Sequence, residues 1–323
     1  MISKSVFCLN SLKIVIKKFS SKKMENLSDF FIQKAKTELN ETESRKEQSI
    51  KQFYEWLSKH PFINKLDIEP FQVITFLRAR KYNMDKVFEC FNNFVNFKRC
   101  VPQLYDFHSF KELLDIYNKG PILVMNDRDS DGRRIVLLRH KVLEDSKASF
   151  INILKLSHLI GASLIDEPET QICGLVMIHD FRNVTFNYTK IIDTNLLCKI
   201  LTMADSNTIR IKQINFIGFP SFANSLFELA KSFLNYKMKS RLNLLKNIED
   251  LTKVMDVKNL PVEYGGTDNL NDCLKQRRKD VENQAHIAIK FFDSFVIDEK
   301  KMKIYENEKS FEAVGSFRKL EID

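Results

Sequence analysis

Glycine is scarce in this sequence of 323 residues, with only eight, and the eight form neither a G-x-G-x-x-G loop nor a Walker loop. Nucleotide sites use such loops to bring backbone amides against phosphate groups, so we expect no nucleotide site here. The chain also lacks a G-x-S-x-G nucleophile elbow and an H-E-x-x-H zinc motif. The sequence gives no positive signal for catalysis, and we predict a protein that is not an enzyme and needs no cofactor.

Closely spaced cysteines and long apolar runs are also missing. The six cysteines are scattered, with no C-x-x-C pair, which argues against a zinc site and against a disulfide scaffold. Reduced thiols in a cytosolic protein are the expected state. No run reaches the ~18 apolar residues of a membrane span. We therefore expect a cytoplasmic protein whose contact with membranes is peripheral and transient.

One acidic motif resembles a calcium loop. Asp127, Asp129, Asp131 and Gly132 match the opening of an EF-hand loop, but its twelfth position is Leu138 instead of a bidentate glutamate. The segment lies between two short aliphatic runs. It therefore predicts a β-hairpin turn, and we expect no metal site.

What the chain has in excess is positive charge and phenylalanine. The formal net charge is +9, the isoelectric point is about 9.1, and there are 27 phenylalanines. This charge favours an anionic partner, either nucleic acid or an acidic membrane surface. No nucleic-acid-binding motif is present, so we expect no nucleic-acid partner. The phenylalanines suit a fold that lines a large apolar volume, although an A·T-biased genome would also favour them.

Three local groups of basic residues stand out. They are Arg78, Arg80 and Lys81; Arg210 and Lys212; and Lys237 and Arg241. Spacings of two on a strand and of four on a helix place the last two pairs each on one face. Each group alone fits an ordinary solvated surface. If the three converged, they would form a polyphosphate site, because arginine forks match phosphate oxygens.

The pattern of apolar residues divides the chain into regions. Helix-period stripes without breaks predict a helical bundle at 28–105, after an extension at 1–27 that is disordered or a weak targeting segment. From 106 to 270, strand-like runs alternate with helices, which predicts an α/β sheet. A helical or irregular tail occupies 271–323. The predicted fold class is therefore α/β with an N-terminal helical bundle.

The stretch from Phe219 to Arg241 has the clearest pattern. Its apolar residues recur at helical spacing and its end is basic, which predicts one amphipathic helix starting near Pro220. The pattern alone favours core packing, with a lipid surface as the alternative. Upstream, His179 and Asp180 are the best candidate acid–base pair. They lie in an apolar strand without a well-spaced nucleophile, so a core or pocket histidine is preferred.

Several segments resemble the CRAL-TRIO lipid-transfer family, most closely its insect alpha-tocopherol-transfer-protein-like members. They are FLRARKYNMDKV, GPILVMNDRDSDGRRIVLLR, ETQICGLVMIHDF, RIKQINFIGFPSFANSLFELAKSFL and LPVEYGG. The resemblance implies a CRAL-TRIO lipid-binding domain at 106–270, in which a sheet floors a hydrophobic pocket and the amphipathic helix is its gate. The expectation of core packing for that helix is then reversed.

The resemblance also implies site residues. The lipid pocket would be lined by Leu154, Ser157, Gly161, Leu175, Met177, His179, Met203, Ile209, Ile211, Ile214, Phe222, Leu226, Leu229 and Phe233. A phosphoinositide-binding cleft would be formed by Arg78, Arg80, Asp205, Arg210, Lys212, Lys237 and Arg241. Other members often have a hydrophobic residue where His179 stands, which leaves the ligand open.

The function implied is a monomeric carrier of one hydrophobic lipid (tocopherol-, retinoid- or terpenoid-like) that docks on phosphoinositide membranes. The main alternative is a lipid-sensing regulatory or scaffold protein without net transfer. A hydrolase acting on lipid esters through Ser157 or His179 is a distant third.

Overall fold

A computed structural model describes the backbone of residues 27–65, 68–106, 110–202, 207–293 and 296–303, and the side chains of these except 64–65, 284–293 and 296–297. The predicted N-terminal extension, apart from residue 27, and the last twenty residues of the tail lie outside the described part of the chain.

The front section is helical, as the periodicity predicts. Its helices are α1 (Asp29–Leu39), α2 (Glu43–Ser58), α3 (Pro70–Ala79) and α4 (Met84–Cys100), and a short strand β1 (Ile63–Lys65) follows α2. Two of the helices begin at side-chain caps: Thr42 accepts from the Arg45 amide, and Asn83 accepts from the Lys86 amide. The turn between α3 and α4 passes through positive φ at Lys81 and Tyr82.

Phenylalanine rings build the core of this bundle. Phe53 and Phe91 meet edge to face with centroids 5.1 Å apart, and Phe76 meets Phe91 at 5.3 Å. Phe53 and Phe91 are fully buried. Edge-to-face contacts stabilise such a core in addition to the stabilisation from the apolar area that the rings remove from water. Part of the phenylalanine excess therefore fills a closed core and does not line an open pocket.

The second region is a mixed α/β sheet of five strands in the order β2-β3-β4-β5-β6. The strands are β2 (Ile122–Arg128), β3 (Arg134–Arg139), β4 (Leu175–Asp180), β5 (Ile211–Ile217) and β6 (Leu242–Leu245). The first pair is antiparallel and forms the predicted hairpin, and the other neighbours are parallel. The short strand β6 was not predicted, because LNLL is too brief to stand out from its helical surroundings.

Helices connect and cover the strands. They are α5 (Phe110–Tyr117), α6 (His140–Ser146), α7 (Phe150–Ile165), α8 (Pro168–Cys173), α9 (Thr194–Thr202), α10 (Asn224–Ser232), α11 (Tyr236–Lys239) and α12 (Leu270–Asp293). A short strand β7 (Val296–Ile297) pairs with β1. The alternation of strand and helix confirms the predicted fold class.

The two faces of the sheet bury different partners. On one face, called the inner face, Leu175 and Met177 pack with residues of α5 and α7. On the other, called the outer face, Val176 and Ile178 pack against the segment 248–274 and the start of α12. Successive side chains of a strand point to opposite faces, so a strand covered on both sides is apolar throughout. This explains the unbroken run Leu175–Ile178.

The amphipathic stretch differs from the prediction of a single helix. A short 3-10 turn spans Ser221–Ala223, α10 ends at Ser232, and α11 begins only at Tyr236. The break is stabilised by Asn235, whose side chain accepts from the Met238 amide 2.9 Å away. Because asparagine caps a new helix so well, it stops the periodic pattern from continuing as one element.

The LPVEYGG segment closes the outer face of the sheet. Tyr264 donates to the Asp180 carboxylate at 2.6 Å, which ties the segment to the end of β4. A Cβ at Gly266 would lie 2.0 Å from the Leu260 carbonyl oxygen, and Gly265 has a φ of +84°. Only glycine fits both positions, which explains why the pair is such a specific sequence signal.

Candidate functional site

The inner face of the sheet carries an apolar floor that is only partly covered. Met177 pairs with Ile214 across β4 and β5, and His179 pairs with Phe216. All four side chains are half-buried, in contrast to the fully buried Val176 on the opposite face. We call these four residues the groove floor.

Helix α7 packs over the same face of the sheet as the groove floor, and we call it the wall. Leu154 packs with Leu196 and Ile200 of α9, and Ser157 and Gly161 follow it at helical spacing on the same face. A Cβ built at Gly161 meets no heavy atom within 4 Å, so open space adjoins this wall. The Ser157 hydroxyl donates to the Ile153 carbonyl within its own helix at 2.9 Å, a bond that gives the serine no activating base.

Helix α10 lies over the floor but buries none of its side chains. Phe222, Leu229 and Phe233 remain 39%, 38% and 37% exposed, and Leu226 is half-buried. A helix with an apolar stripe normally gains its stability by burying that stripe. We call the segment 219–241 the lid, because its Phe227 ring packs against Phe216 of the floor while Phe222, Leu229 and Phe233 stay exposed.

Aromatic rings join the lid to one end of the floor. The Phe227 ring lies 5.4 Å from Phe216 and 5.1 Å from Phe219, and Phe219 meets Phe181 at 4.9 Å. Sequence reasoning missed Phe216 and Phe227 as site residues. The signal was available, since Phe216 lies two residues after Ile214 on the same face of β5.

The other residues predicted to line the pocket are also near the inner face. Ile209 packs at the edge of the cluster that contains Leu175, and Ile211 pairs with Leu175 across the strands. Met203 lies outside the described residues. The described candidates for the pocket thus lie on or next to β4 and β5, on α7 and in the segment 219–241, and a shared pocket with a bound lipid stays a prediction.

A chain of hydrogen-bonded polar side chains ends at His179 of the groove floor. The Tyr188 hydroxyl lies 2.7 Å from Nδ1 of His140, and Nε2 of His140 lies 2.9 Å from Nδ1 of His179. Burial lowers the pKa of His179 to about 4, and burial, together with the His179 charge, lowers the pKa of His140 well below its usual range. Both imidazoles are therefore neutral at pH 7. No sequence pattern connects the three residues.

A basic cleft lies beside the lid. Lys212 donates to the Glu38 carboxylate at 3.0 Å, and Arg210 approaches the same group at 3.8 Å. The Arg241 guanidinium donates to the Ile211 carbonyl. Partial burial and then the charges of Arg241, Lys81, Lys212 and Arg210 lower the pKa of Lys237, so these cations lie close enough to repel one another. We call Lys81, Arg210, Lys212, Lys237 and Arg241 the basic cleft.

Arg78 is buried and paired, unlike the other cations of this region. It is 2% exposed, its fork binds both oxygens of Glu41 at 2.8 and 2.7 Å, and its remaining terminal nitrogen donates to Gln171 at 2.7 Å. These bonds join the helical bundle to α8. Its neighbour Arg80 is half-buried at the end of α3, and Asp205 lies outside the described residues.

Two observations concern metals and membranes. Among the described residues, no group of three histidine, cysteine, aspartate or glutamate side chains could hold a metal ion. In the acidic hairpin turn, the Asp129 carboxylate accepts from the amides of Asp131 and Arg133 and from the Arg133 side chain. Within the same part of the chain, no helix combines the length and hydrophobicity that crossing a bilayer requires.

The chain is similar to several known proteins. A family model described as CRAL/TRIO domain matches residues 118–266. Clavesin-1 of Rattus norvegicus is 31% identical over 251 residues, which cover 75% of this chain and 69% of its own. Clavesin-2 of Homo sapiens is 28% identical over 250 residues, which cover 74% and 75%. The crystal structure of Sfh5 aligns with a TM-score of 0.41 and 11% identity over 76% of this chain and 91% of that chain. The insect alpha-tocopherol-transfer-protein-like subtype stays a prediction.

Proposed function

The chain belongs to the CRAL/TRIO domain family, and on that premise we propose that it carries one hydrophobic lipid, tocopherol-, retinoid- or terpenoid-like, between membranes without chemical change. The lipid would lie between the groove floor and the lid. The basic cleft would dock the protein on phosphoinositide while the lid opens.

The observation that carries this proposal is an amphipathic helix, α10, with no buried residue beside a half-buried apolar floor. Each square ångström of apolar surface removed from water stabilises a complex by about 25 cal/mol. A lipid inserted between lid and floor would cover surface on both sides. Ordinary core packing would instead have buried the apolar side chains of α10, because cores pack to near-crystalline density.

Docking is supported by apolar and basic residues that meet at the end of the lid. Tyr236 is 87% exposed and stands directly before Lys237, while Phe233 precedes the break between α10 and α11. Apolar side chains that enter a bilayer and cations that bind its anionic headgroups act together at interfaces. The break at 233–235 offers a hinge for the lid's movement.

The docking role is tested by reversing two charges. Lys237→Glu with Arg241→Glu should strongly weaken co-sedimentation with phosphatidylcholine vesicles that contain phosphatidylinositol bisphosphate, because each juxtamembrane cation contributes about 1 kcal/mol. The matched control reverses Lys111 and Lys275, two exposed lysines on α5 and α12. Equal loss in both double variants, or in neither, would contradict docking through the cleft.

Transfer itself is measured with donor and acceptor vesicles. A carrier accelerates movement of a fluorescent terpenoid from donor to acceptor, and it does so faster when the acceptor contains phosphoinositide. A lipid-sensing scaffold would bind the same vesicles and retain the lipid without accelerating its movement. That result would replace the carrier proposal with the alternative.

A further inference from the structure

The geometry points to His179 as a hydrogen-bond donor to an oxygen atom of the bound lipid. The inference rests on the proposed function and narrows its ligand class. The groove selects lipids with an acceptor oxygen, such as an aldehyde, ketone, ester or hydroxyl group, over hydrocarbons of the same shape.

The position of the imidazole is fixed on several sides. His140 stacks on Phe181 with centroids 3.8 Å apart and on His179 at 5.1 Å, and the far side of His179 faces Phe216 at 5.1 Å. The rings of Phe181 and His179 are nearly parallel to His140, with interplanar angles of 9° and 18°. The His179 ring therefore cannot turn freely, and its second nitrogen keeps one direction.

The hydrogen bonds then determine which nitrogen carries the proton. Among the described residues, the Tyr188 hydroxyl has one polar contact, with Nδ1 of His140. If the hydroxyl accepted this bond, its own proton would have no acceptor there. If it donates, His140 carries its proton on Nε2 and donates to Nδ1 of His179. His179 must then carry its proton on Nε2.

The neutral state of both rings supports this order. A neutral imidazole has one donor and one acceptor, so a chain of two rings has a direction. Because burial lowers the pKa of both histidines, neither ring takes a second proton at pH 7 that would put two donors against each other. The direction of hydrogen-bond donation that Tyr188 sets therefore continues from His140 to His179.

The donor at the end of the chain faces apolar surroundings. Its strand neighbour Met177 and the cross-strand residues Ile214 and Phe216 offer no side-chain oxygen or nitrogen. Within the described part of the chain, Nε2 of His179 makes no hydrogen bond, and the residue is half-buried in the groove floor. A donor that a ligand removes from water without an acceptor is strongly unfavourable. A lipid oxygen satisfies it, whereas a hydrocarbon does not.

The first test needs no variant of the groove. Long-range proton–nitrogen correlation spectra of the ring nitrogens in the wild-type protein report the tautomer of each histidine. We expect His179 with its proton on Nε2, and a shift of that signal when the lipid is bound. A proton on Nδ1 of His179 would overturn the inference directly.

The second test uses matched lipids in phosphatidylcholine vesicles: retinal with its hydrocarbon analogue axerophthene, and farnesal with farnesene. Protein re-isolated from the vesicles is extracted, and the bound lipids are quantified by mass spectrometry. The wild type should retain the aldehyde about tenfold better than the hydrocarbon, the expected effect of one buried hydrogen bond.

Variants locate the effect. His179→Leu should reduce the ratio to about one, while His179→Gln, which keeps an N–H group, should retain part of the preference. Tyr188 is a positioning residue, so Tyr188→Phe should lower the ratio without lowering retention of the hydrocarbon. Equal retention of both lipids by the wild type, or an unchanged ratio in His179→Leu, would overturn the inference and leave the carrier proposal standing. Retention of no lipid at all would overturn both.

Discussion

Glu38 places a negative charge inside the basic cleft, where a phosphate group is proposed to bind. Its carboxylate lies 3.0 Å from Lys212 and 3.8 Å from Arg210. Burial alone would raise the pKa of Glu38, but the hydrogen bond and charge of Lys212, with the charges of Arg210 and Lys34, outweigh it and hold the pKa below its ordinary value. The group is therefore ionised at pH 7, and an incoming phosphate must compete with it.

We predict that Glu38→Gln strengthens binding to phosphoinositide vesicles. Partly exposed ion pairs contribute about 0.2–1 kcal/mol each. The two pairs together amount to about 1 kcal/mol, which corresponds to an affinity gain of about fivefold. The same change removes contacts between α1 and β5, so the free energy of unfolding should fall by a similar amount. Tighter binding with lower stability is the expected signature.

The assay is co-sedimentation with phosphatidylcholine vesicles with and without phosphatidylinositol bisphosphate, at low and at physiological salt. The control is Glu47→Gln, which makes the same change of charge at an exposed position on α2. The gain should shrink with added salt, because ions screen exposed charges. Equal binding of Glu38→Gln and Glu47→Gln would refute the reasoning, since the effect would then be one of net charge alone.

Further predictions concern stability. For His179 the folded pKa of about 4 lies below the ordinary 6.5, so between these values the unfolded state binds more protons and stability falls as pH falls. Urea unfolding should show a loss of about 2 kcal/mol from this group between pH 7 and pH 5, and His179→Leu should abolish that part of the pH dependence. Glu167 accepts hydrogen bonds from three arginine side chains. Glu167→Gln should lower the free energy of unfolding by about 3–5 kcal/mol, because these partly buried cations lose their counter-charge. A loss below about 1 kcal/mol would show that solvent replaces the carboxylate as their partner. Gly266→Ala should lower the melting temperature far more than Gly161→Ala, whose added methyl group meets open space; similar effects would contradict the packing described for both glycines.

Much of the architecture could be predicted from local pattern. The helical stripes of α3 and α4, the hairpin around Gly132 and the apolar run of β4 each reflect a period or a turn chemistry that neighbouring residues contain. The pair of glycines after Tyr264 also has a local cause, because positive φ and a close backbone leave no room for a Cβ. These features depend on a few residues in sequence order, so the sequence alone determines them.

The break in the lid and the fate of individual charges could not be predicted in this way. Asn235 reads as one polar position in a helix, and only the fold shows it capping a second helix. Arg78 and Arg80 look alike in the sequence, yet Arg78 meets Glu41, 37 residues away, and is buried. Whether a cation is free depends on which carboxylate the fold brings beside it.

The candidate site shows the same division. Alternation along β4 predicted that Leu175, Met177 and His179 share one face, because a strand has a fixed period. On β5 a register shift places Ile211 opposite Leu175 and Ile214 opposite Met177, which alternation alone does not predict. The hydrogen bonds from Tyr188 to His140 and from His140 to His179 join residues that are 48 and 39 positions apart in the sequence. The ion pair between Glu38 and Lys212 joins residues that are 174 positions apart. The sequence by itself determined which residues of β4 share a face and how the basic residues are spaced along the chain. Only the tertiary structure decided which polar groups lie beside them, since hydrogen bonds and ion pairs form between neighbours in space.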